Sequence, residues 1–119
     1  MVFLHGWGGS SHYWQATAEQ FTEQFDCLLM DLRGFGHSAP QWPDEDASDF
    51  SIATYVADVC RCLDQYGVQQ AWFHSHSFGS TVATYLMADY PERAAGGIVV
   101  CNGIFPYNAL AFNLFQAIS

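Results

Sequence analysis

The sequence contains very little positive charge. Its 119 residues include no lysine, and three basic residues face 12 acidic ones, so the net charge is -9. Proteins that bind nucleic acid or an anionic membrane surface do so through clusters of Lys and Arg, so we expect neither kind of partner. The N-terminus also lacks the basic and apolar regions of a secretory signal, which favours a cytoplasmic protein.

Long apolar runs and a cysteine framework are absent as well. The residues after Arg93 carry no charge, but glycine, proline and asparagine interrupt them. A membrane span needs about 20 predominantly apolar residues, so we expect no membrane segment. Cys60 and Cys62 lie two apart on a predicted helix, where they do not share a face. This spacing favours neither a metal site nor a disulfide, and the cysteines are interpreted as small buried residues.

The composition is that of a folded domain, with 50% hydrophobic and 17% aromatic residues. Short apolar runs alternate with helical patterns along the chain. Buried strands joined by crossover helices predict an α/β fold, a parallel sheet with helices on both faces. The predicted strands lie at Val2–Leu4, Cys27–Met30, Ala71–His74 and Gly97–Cys101, and the helices at Trp14–Phe25, from the cap Ser51 to Gly67, and at Val82–Tyr90.

The segment Ser75-His76-Ser77-Phe78-Gly79 lies between a predicted strand and a predicted helix, which is the setting of a nucleophile elbow. Such a turn strains its central residue and needs small neighbours, which Gly79 provides and Ser75 provides imperfectly where glycine is usual. The turn would hold the Ser77 hydroxyl above the carboxyl ends of the strands, where it can attack a carbonyl. The simpler structural interpretation is a serine that caps the helix.

A second loop, His5-Gly6-Trp7-Gly8-Gly9, follows the first strand. Its glycines let backbone N–H groups approach a ligand closely. The N–H groups of Trp7 and Phe78 would converge on the oxyanion formed when Ser77 attacks. Loss of one such donor raises the barrier by about 3–4 kcal/mol.

Together with the loop Asp31-Leu32-Arg33-Gly34-Phe35-Gly36-His37-Ser38, these two motifs make the chain similar to the central part of an α/β-hydrolase. The resemblance implies that the strands are the family's third to sixth, in the sheet order 4-3-5-6. It implies a partial hydrolase core over residues 1–103 and the start of a lid over residues 104–119. It also implies Ser77 as the nucleophile, Trp7 and Phe78 as oxyanion donors, and no metal or organic cofactor.

By this resemblance the protein is a serine hydrolase that cleaves an ester, thioester, lactone or carbon–carbon bond through an acyl-enzyme on Ser77. The family's triad acid and histidine normally follow later strands than those present here, so we interpret the chain as a fragment. Without a base, a serine hydroxyl stays protonated and weakly nucleophilic. We therefore expect the 119-residue chain alone to be nearly inactive.

None of the five histidines is placed like a base in the sequence. His76 adjoins the nucleophile and should point away from the hydroxyl of Ser77. His5 is interpreted as a support of the glycine-rich loop. Asp31, which is followed by Arg33 and two glycines, is interpreted as a residue that pins its own loop through local hydrogen bonds.

Two other functions stay open. The chain also resembles a dinucleotide-binding unit, in which a strand is followed by Gly6-x-Gly8, a helix, a second strand and Asp31. The carboxylate of such a unit binds a ribose hydroxyl, although Ser11 replaces the third glycine here. The elbow has no role in that interpretation. The other alternative is a non-catalytic ligand-binding or interaction protein built on the hydrolase fold.

The partners expected from the sequence are a small molecule and a second copy of the chain. Strands Cys27–Met30 and Ile98–Cys101 would be open sheet edges, and such edges pair with other chains. We therefore expect the isolated chain to self-associate. A substrate with a hydrophobic acyl or aromatic group is predicted from apolar residues near the end of the chain, namely Ile104, Phe105, Leu110, Phe112, Leu114 and Phe115.

Overall fold

The computed structural model describes residues 1–38 and 49–102, in which a parallel sheet carries helices on both faces. Three short 3-10 turns complete this described part of the chain. In chain order the elements are β1 (Val2–Leu4), a 3-10 turn (Ser11–Trp14), α1 (Gln15–Glu19), β2 (Leu28–Met30), a 3-10 turn (Gly36–Ser38), α2 (Ile52–Gln65), β3 (Ala71–His76), α3 (Phe78–Asp89), a 3-10 turn (Pro91–Arg93) and β4 (Ala94–Val100).

The four strands are arranged in the order β2-β1-β3-β4, and every neighbouring pair is parallel. This order is the one expected for the third to sixth strands of an α/β-hydrolase, so the predicted topology is confirmed. Leu4 at the end of β1 is level with Met30 of β2 and with Ser75 of β3. The loops that follow these three strands therefore start side by side at the carboxyl edge of the sheet.

The alternation of side chains along β1 divides the core into two layers. Phe3 points to one face, where it packs with Trp14 and Ala18. Val2 and Leu4 point to the other face, which α2 and α3 cover. A strand that is apolar on both faces is typical of a central position in a parallel sheet. The second layer is the larger, and its helix residues with little or no exposure are Tyr55, Val56, Val59 and Leu63 of α2 and Val82, Ala83 and Leu86 of α3.

Both ends of α2 agree with the sequence prediction. The hydroxyl of Ser51 accepts a hydrogen bond from the Thr54 N–H at 3.3 Å and so caps the first turn. At the other end, Gly67 has a left-handed backbone with φ +67°, and its N–H donates to the Asp64 carbonyl. Glycine adopts this conformation without the steric cost of a side chain, which is why it ends the helix.

The first helix is shorter than its apolar stripe predicts. Trp14 lies in the 3-10 turn, α1 ends at Glu19, and Phe21 lies beyond it. The N–H groups of Gln20 and Phe21 donate to carbonyls three residues back, which is 3-10 geometry. Phe21 nevertheless packs on the Phe3–Trp14 layer, so the spacing predicted the buried face correctly but not the helix length.

Three further boundaries differ from the prediction, and two of them lie next to the elbow. Strand β3 continues to His76, and α3 begins at Phe78 rather than Val82. Ser77 alone connects the two elements. Strand β4 starts at Ala94 instead of Gly97, because its two glycines are accommodated within the strand.

The predicted lid segment, residues 104–119, and the acidic residues 44–46 lie outside the described residues. Within 1–38 and 49–102, no helix is long and apolar enough to cross a membrane.

Among the described strands, β4 pairs only with β3. Three consecutive apolar side chains near its end remain accessible, with Ile98 41%, Val99 37% and Val100 37% exposed. A long strand edge flanked by apolar side chains is a template for pairing with another chain.

We predict that the 119-residue chain self-associates through β4 and that Val99→Lys weakens this association. A lysine on an edge strand would have to lose its hydration in a paired sheet. Sedimentation velocity across a concentration series measures the effect. Ala88→Lys, at an exposed position on α3, adds the same charge away from the edge and should leave association unchanged. A monomeric wild-type chain, or equal effects of the two lysines, would contradict this role of β4.

Candidate functional site

Ser77 has an unusual backbone conformation, with φ 52° and ψ -118°. Only one other described non-glycine residue, Cys101, has a positive φ. A residue with a side chain held in such a region costs about 1–3 kcal/mol and is often found at a functional site. The Ser77 side chain makes no capping hydrogen bond to α3, so the helix-cap interpretation of this serine is wrong.

Hydrogen bonds to β4 hold the strained turn in place. The Ser77 N–H donates to the Val100 carbonyl at 2.9 Å, and the Ser80 hydroxyl donates to the same carbonyl at 3.0 Å. The hydroxyl of Ser75 donates to the Ile98 carbonyl at 3.2 Å. Ser75 and Ser80 are fully buried, so a buried hydroxyl at either position needs a partner. The bond from the Ser75 hydroxyl explains how serine is tolerated at position 75, where glycine is usual in such a turn.

Close approach of β1 to α3 places the glycine-rich loop beside Ser77. A Cβ on Gly79 would lie 2.5 Å from the Leu4 carbonyl oxygen and 2.6 Å from that of His5. A Cβ on Gly6 would lie 3.1 Å from the Ser77 Cβ. The two loops predicted from the sequence to form one site are therefore in contact.

His5 orients the peptide that carries the Trp7 N–H. The Leu32 N–H donates to His5 Nε2 at 2.9 Å, so Nε2 carries no proton. The neutral ring then has its proton on Nδ1, which donates to the Gly6 carbonyl at 2.8 Å. The Gly9 N–H donates to the same oxygen at 3.1 Å. Because the C=O and N–H of a trans peptide point in opposite directions, these two donors also fix the direction of the Trp7 N–H.

Burial keeps His5 neutral. The side chain is fully buried, and this burial lowers the pKa of His5 from its ordinary value of 6.5, although the Gly6 carbonyl and the Asp31 charge oppose the shift. Protonation would place a hydrogen on Nε2 opposite the Leu32 N–H. The interpretation of His5 as a support of the loop agrees with this geometry.

Asp31 ties the loop after β2 to the segment after the glycine-rich loop. Its carboxylate accepts the Ser11 N–H at 2.6 Å and the His37 N–H at 2.8 Å. Burial raises the pKa of Asp31, but these hydrogen bonds outweigh burial and hold the pKa well below its usual range. The Asp31 carboxylate is therefore hydrogen-bonded within the protein. Its bond to the His37 N–H lies within its own loop, as predicted.

The remaining histidines do not contact the Ser77 hydroxyl. His76 points toward Tyr13, with its Nδ1 3.4 Å from the Tyr13 hydroxyl. His74 packs among aromatic rings, with its centroid 4.8 Å from that of Trp14. In residues 1–38 and 49–102, no histidine or carboxylate is hydrogen-bonded to the Ser77 side chain. No group of three His, Cys, Asp or Glu side chains in these ranges can hold a metal ion.

Aromatic rings border the site. The Trp7 ring packs edge to face on Phe78, with centroids 5.6 Å apart, and on Phe35, at 5.2 Å. Trp7 and Phe35 are half-buried, whereas Phe78 is 5% exposed. The surface next to Ser77 is thus apolar on the side of Trp7.

Tyr13 is the functional candidate that the sequence reasoning missed. Its hydroxyl accepts the Gly6 N–H at 2.8 Å. The only available signal was its position in the first turn after the glycine-rich loop, and a tyrosine there has no distinctive pattern.

Comparisons with known proteins agree with the fold described above. A profile of the family described as alpha/beta hydrolase fold matches residues 1–117. Among curated proteins, RutD of Escherichia coli, by its name a proposed carbamate hydrolase, is 30% identical over 116 residues. These residues make up 98% of this chain and 42% of RutD, so the chain spans less than half the length of that relative.

Solved structures give the same family resemblance. A hydrolase from Pseudomonas aeruginosa is 26% identical with a TM-score of 0.80, covering 98% of this chain and 42% of that chain. An N-acyl homoserine lactone degrading enzyme is 28% identical with a TM-score of 0.77, covering 94% and 44%. An esterase of a marine microorganism has a TM-score of 0.77 at 21% identity, covering 98% and 45%, a likeness in fold alone.

We predict that Gly79→Ala destabilises the protein by about 1–3 kcal/mol, the usual cost of overpacking. The new methyl group would meet two backbone carbonyls that cannot move without shifting β1. Urea unfolding measures the loss. In the control Gly97→Ala, the new Cβ faces the flexible tip of Met87 at 3.0 Å, and we expect a change below about 0.5 kcal/mol. Equal losses in the two variants would contradict the close approach of β1 and α3.

We predict that the free energy of unfolding falls as the pH decreases below 6.5, the ordinary pKa of His5. The lowered pKa means that the unfolded chain takes up this proton before the folded chain does, so the stabilisation is complete above pH 6.5 and is lost toward the folded pKa. His5→Gln should flatten the fall by up to about 1.4 kcal/mol per pH unit.

The matching measurement is urea unfolding at several pH values between 7 and 5. His12→Gln removes an exposed histidine and serves as the control. The half-buried His74, whose pKa partial burial also lowers, should leave part of the slope in the His5→Gln protein. An unchanged slope in His5→Gln would refute the assignment of a neutral His5.

Proposed function

Because this chain belongs to the α/β-hydrolase fold family, we propose that it carries the nucleophile and the oxyanion site of a serine hydrolase. Ser77 is the nucleophile, and the backbone N–H groups of Trp7 and Phe78 are the oxyanion donors. The observation that supports this proposal best is the left-handed backbone of Ser77 between β3 and α3.

In the proposed reaction, the Ser77 hydroxyl oxygen attacks a carbonyl carbon and loses its proton to a base. The carbonyl oxygen becomes an oxyanion, which the two N–H groups stabilise. The intermediate then collapses, the leaving group departs with a proton, and an acyl-enzyme remains on Ser77. Water attacks the acyl-enzyme, releases the carboxylic acid and restores the hydroxyl.

The structure supports this arrangement through the anchoring of the Trp7 peptide. Its carbonyl side is bonded to His5 and Gly9, so the N–H does not have to reorient when charge develops. Phe78 begins α3, where the positive end of the helix favours negative charge. Both proposed donors, the Trp7 N–H and the Phe78 N–H, are thus aligned before charge develops, which is the property that makes such donors effective.

We further propose that the base and its acid partner come from a part of the protein outside residues 1–38 and 49–102. No histidine in those ranges is hydrogen-bonded to Ser77. In a well-studied serine enzyme, loss of the base lowers turnover by about 10⁶. The 119-residue chain alone is accordingly expected to be nearly inactive.

The substrate class we propose is a small carbonyl compound with an apolar acyl or aromatic group. The described support is the half-buried surface of Trp7 and Phe35 beside the elbow. The names of similar proteins refer to a carbamate and an N-acyl homoserine lactone, and both kinds of compound contain a carbonyl group. An ester, thioester, lactone or carbon–carbon bond next to a carbonyl would fit the same reaction.

The dinucleotide-binding alternative receives no support from the site. The Asp31 carboxylate, which would bind the ribose, is already bonded to the Ser11 and His37 N–H groups. The half-buried Trp7 ring stands in the loop that would meet the pyrophosphate. A non-catalytic binding protein on the same fold is the remaining alternative, and an active-site probe separates it from a hydrolase.

We predict that a fluorophosphonate labels Ser77 in the full-length protein that contains this chain, and that Ser77→Ala abolishes both labelling and turnover of p-nitrophenyl esters. Turnover should fall by at least about 10³, because the nucleophile forms the intermediate. Mass spectrometry of the labelled peptide locates the adduct. If the proposed substrate class is right, butyrate or a longer ester is preferred to acetate.

The matched control is Ser38→Ala, an exposed serine whose bonds are made by its backbone, and it should behave like the wild type. Absence of labelling in the full-length wild-type protein would favour the non-catalytic alternative. Saturable binding of NADH would favour a dinucleotide site instead.

A further inference from the structure

Tyr13 links the two loops that flank Ser77. Its hydroxyl accepts the Gly6 N–H of the glycine-rich loop at 2.8 Å. The same hydroxyl lies 3.4 Å from Nδ1 of His76, the residue before the nucleophile. One side chain therefore contacts both halves of the proposed site.

The donors and acceptors around this hydroxyl are compatible. An oxygen that accepts an N–H bond still has its own proton to donate. His76 Nδ1 can accept that proton when the neutral ring is protonated on Nε2. The bonds then run from the Gly6 N–H to the Tyr13 oxygen and from the Tyr13 O–H to His76.

Packing fixes the ring that carries this hydroxyl. The Tyr13 ring lies 4.9 Å from the ring of Trp14, which is 7% exposed and belongs to the Phe3 layer of the core. It also meets the His76 ring edge to face at 6.2 Å. Tyr13 itself remains 43% exposed, so burial of the ring alone does not account for its placement.

The bond to Gly6 matters because glycine has the freest backbone. Gly6 joins two peptide units, and the unit after it carries the Trp7 N–H. His5 and Gly9 hold that second unit by its carbonyl, whereas Tyr13 holds the first unit by its N–H. Because both peptide units are held, the backbone dihedrals of Gly6 are restricted even though glycine has no side chain to restrict them.

We propose that Tyr13 is a positioning residue for the reaction proposed above, acting through Gly6 to keep the Trp7 N–H directed at the oxyanion. This inference rests on the proposed serine-hydrolase function. Tyr13 does not touch the reacting atoms. Its hydroxyl holds the glycine-rich loop in a fixed position relative to the elbow.

The hydroxyl is suited to this role at neutral pH. Burial raises the pKa of Tyr13 above its ordinary value of 10.0, while the Gly6 N–H opposes the shift. The oxygen thus keeps its proton and can both accept from Gly6 and donate to His76.

The experiment compares Tyr13→Phe with Tyr55→Phe in the full-length protein. The Tyr55 hydroxyl donates to the Arg33 carbonyl at 3.1 Å, and Tyr55 lies on α2 in the core. Each variant keeps its ring and loses one hydroxyl bonded to a backbone group. The two are therefore matched in chemistry, and they differ in whether that backbone group belongs to the glycine-rich loop.

With p-nitrophenyl butyrate as the probe, we expect Tyr13→Phe to lower kcat about tenfold and to leave KM within twofold. An interaction made only in the transition state affects kcat and not KM. The affinity for butylboronic acid, which forms a tetrahedral adduct with a serine, should fall by a similar factor. Tyr55→Phe should leave kcat, KM and boronate affinity within twofold, and thermal unfolding checks that both variants are folded.

Three results would overturn the role of Tyr13. They are an unchanged kcat, a fall in kcat that Tyr55→Phe matches, and a Tyr13→Phe protein that no longer folds, which would give the hydroxyl a structural role only. Failure of the serine-hydrolase proposal is recognised separately, because the wild-type protein would then lack turnover that depends on Ser77. That result would refute the role of Tyr13 in the same reaction.

Discussion

The left-handed backbone of Ser77 is the constraint on which the rest of the site depends. Strand β3 passes directly into α3, and one residue must reverse the chain. That residue is strained by about 1–3 kcal/mol. Hydrogen bonds offset the strain at both of its peptide groups, because the Ser77 N–H is bonded to Val100, and the Ser77 carbonyl accepts from Ser80 and Thr81. The turn is thus stabilised by β4 on one side and by its own helix on the other.

This turn also explains the close packing at Gly79. A helix that starts immediately after a strand passes over the end of the neighbouring strand, here over the carbonyls of Leu4 and His5. The absence of a side chain at residue 79 permits that approach. The approach brings the glycine-rich loop to Ser77, so the geometry of the turn at Ser77 determines the position of that loop.

Much of this arrangement follows from the sequence. Short apolar runs predicted the four strands, while the sheet order came from the family resemblance. Ser51 and Gly67 predicted the ends of α2, because a cap and a left-handed glycine act locally. The elbow and the glycine-rich loop were recognised from small residues whose positions are required by close approach.

The parts that the sequence did not predict depend on contacts between distant residues. The apolar spacing from Trp14 to Phe25 is helical, yet α1 ends at Glu19, since the layer around Phe3 buries Phe21 without a continuous helix. The Ser10 side chain makes no capping hydrogen bond to the 3-10 turn that begins at Ser11, and the Ser11 N–H is bonded to Asp31, 20 residues away. Tyr13 was missed for the same reason, because its contact with His76 forms only when the segment after β1 and the end of β3 come together.

These long-range bonds distinguish two parts of the proposed chemistry. The loops after β1, β2 and β3 are joined through His5, Asp31 and Tyr13, all within the described residues. Orientation of the proposed oxyanion donors is therefore a property of this part of the chain, whereas the base that we propose for Ser77 lies elsewhere. Electrostatic stabilisation depends on donors that are already aligned before charge develops. On this proposal, a protein that lost its base would retain the alignment around Ser77, and one that lost the Tyr13 hydroxyl would retain the proposed nucleophile but hold the proposed donor Trp7 less firmly.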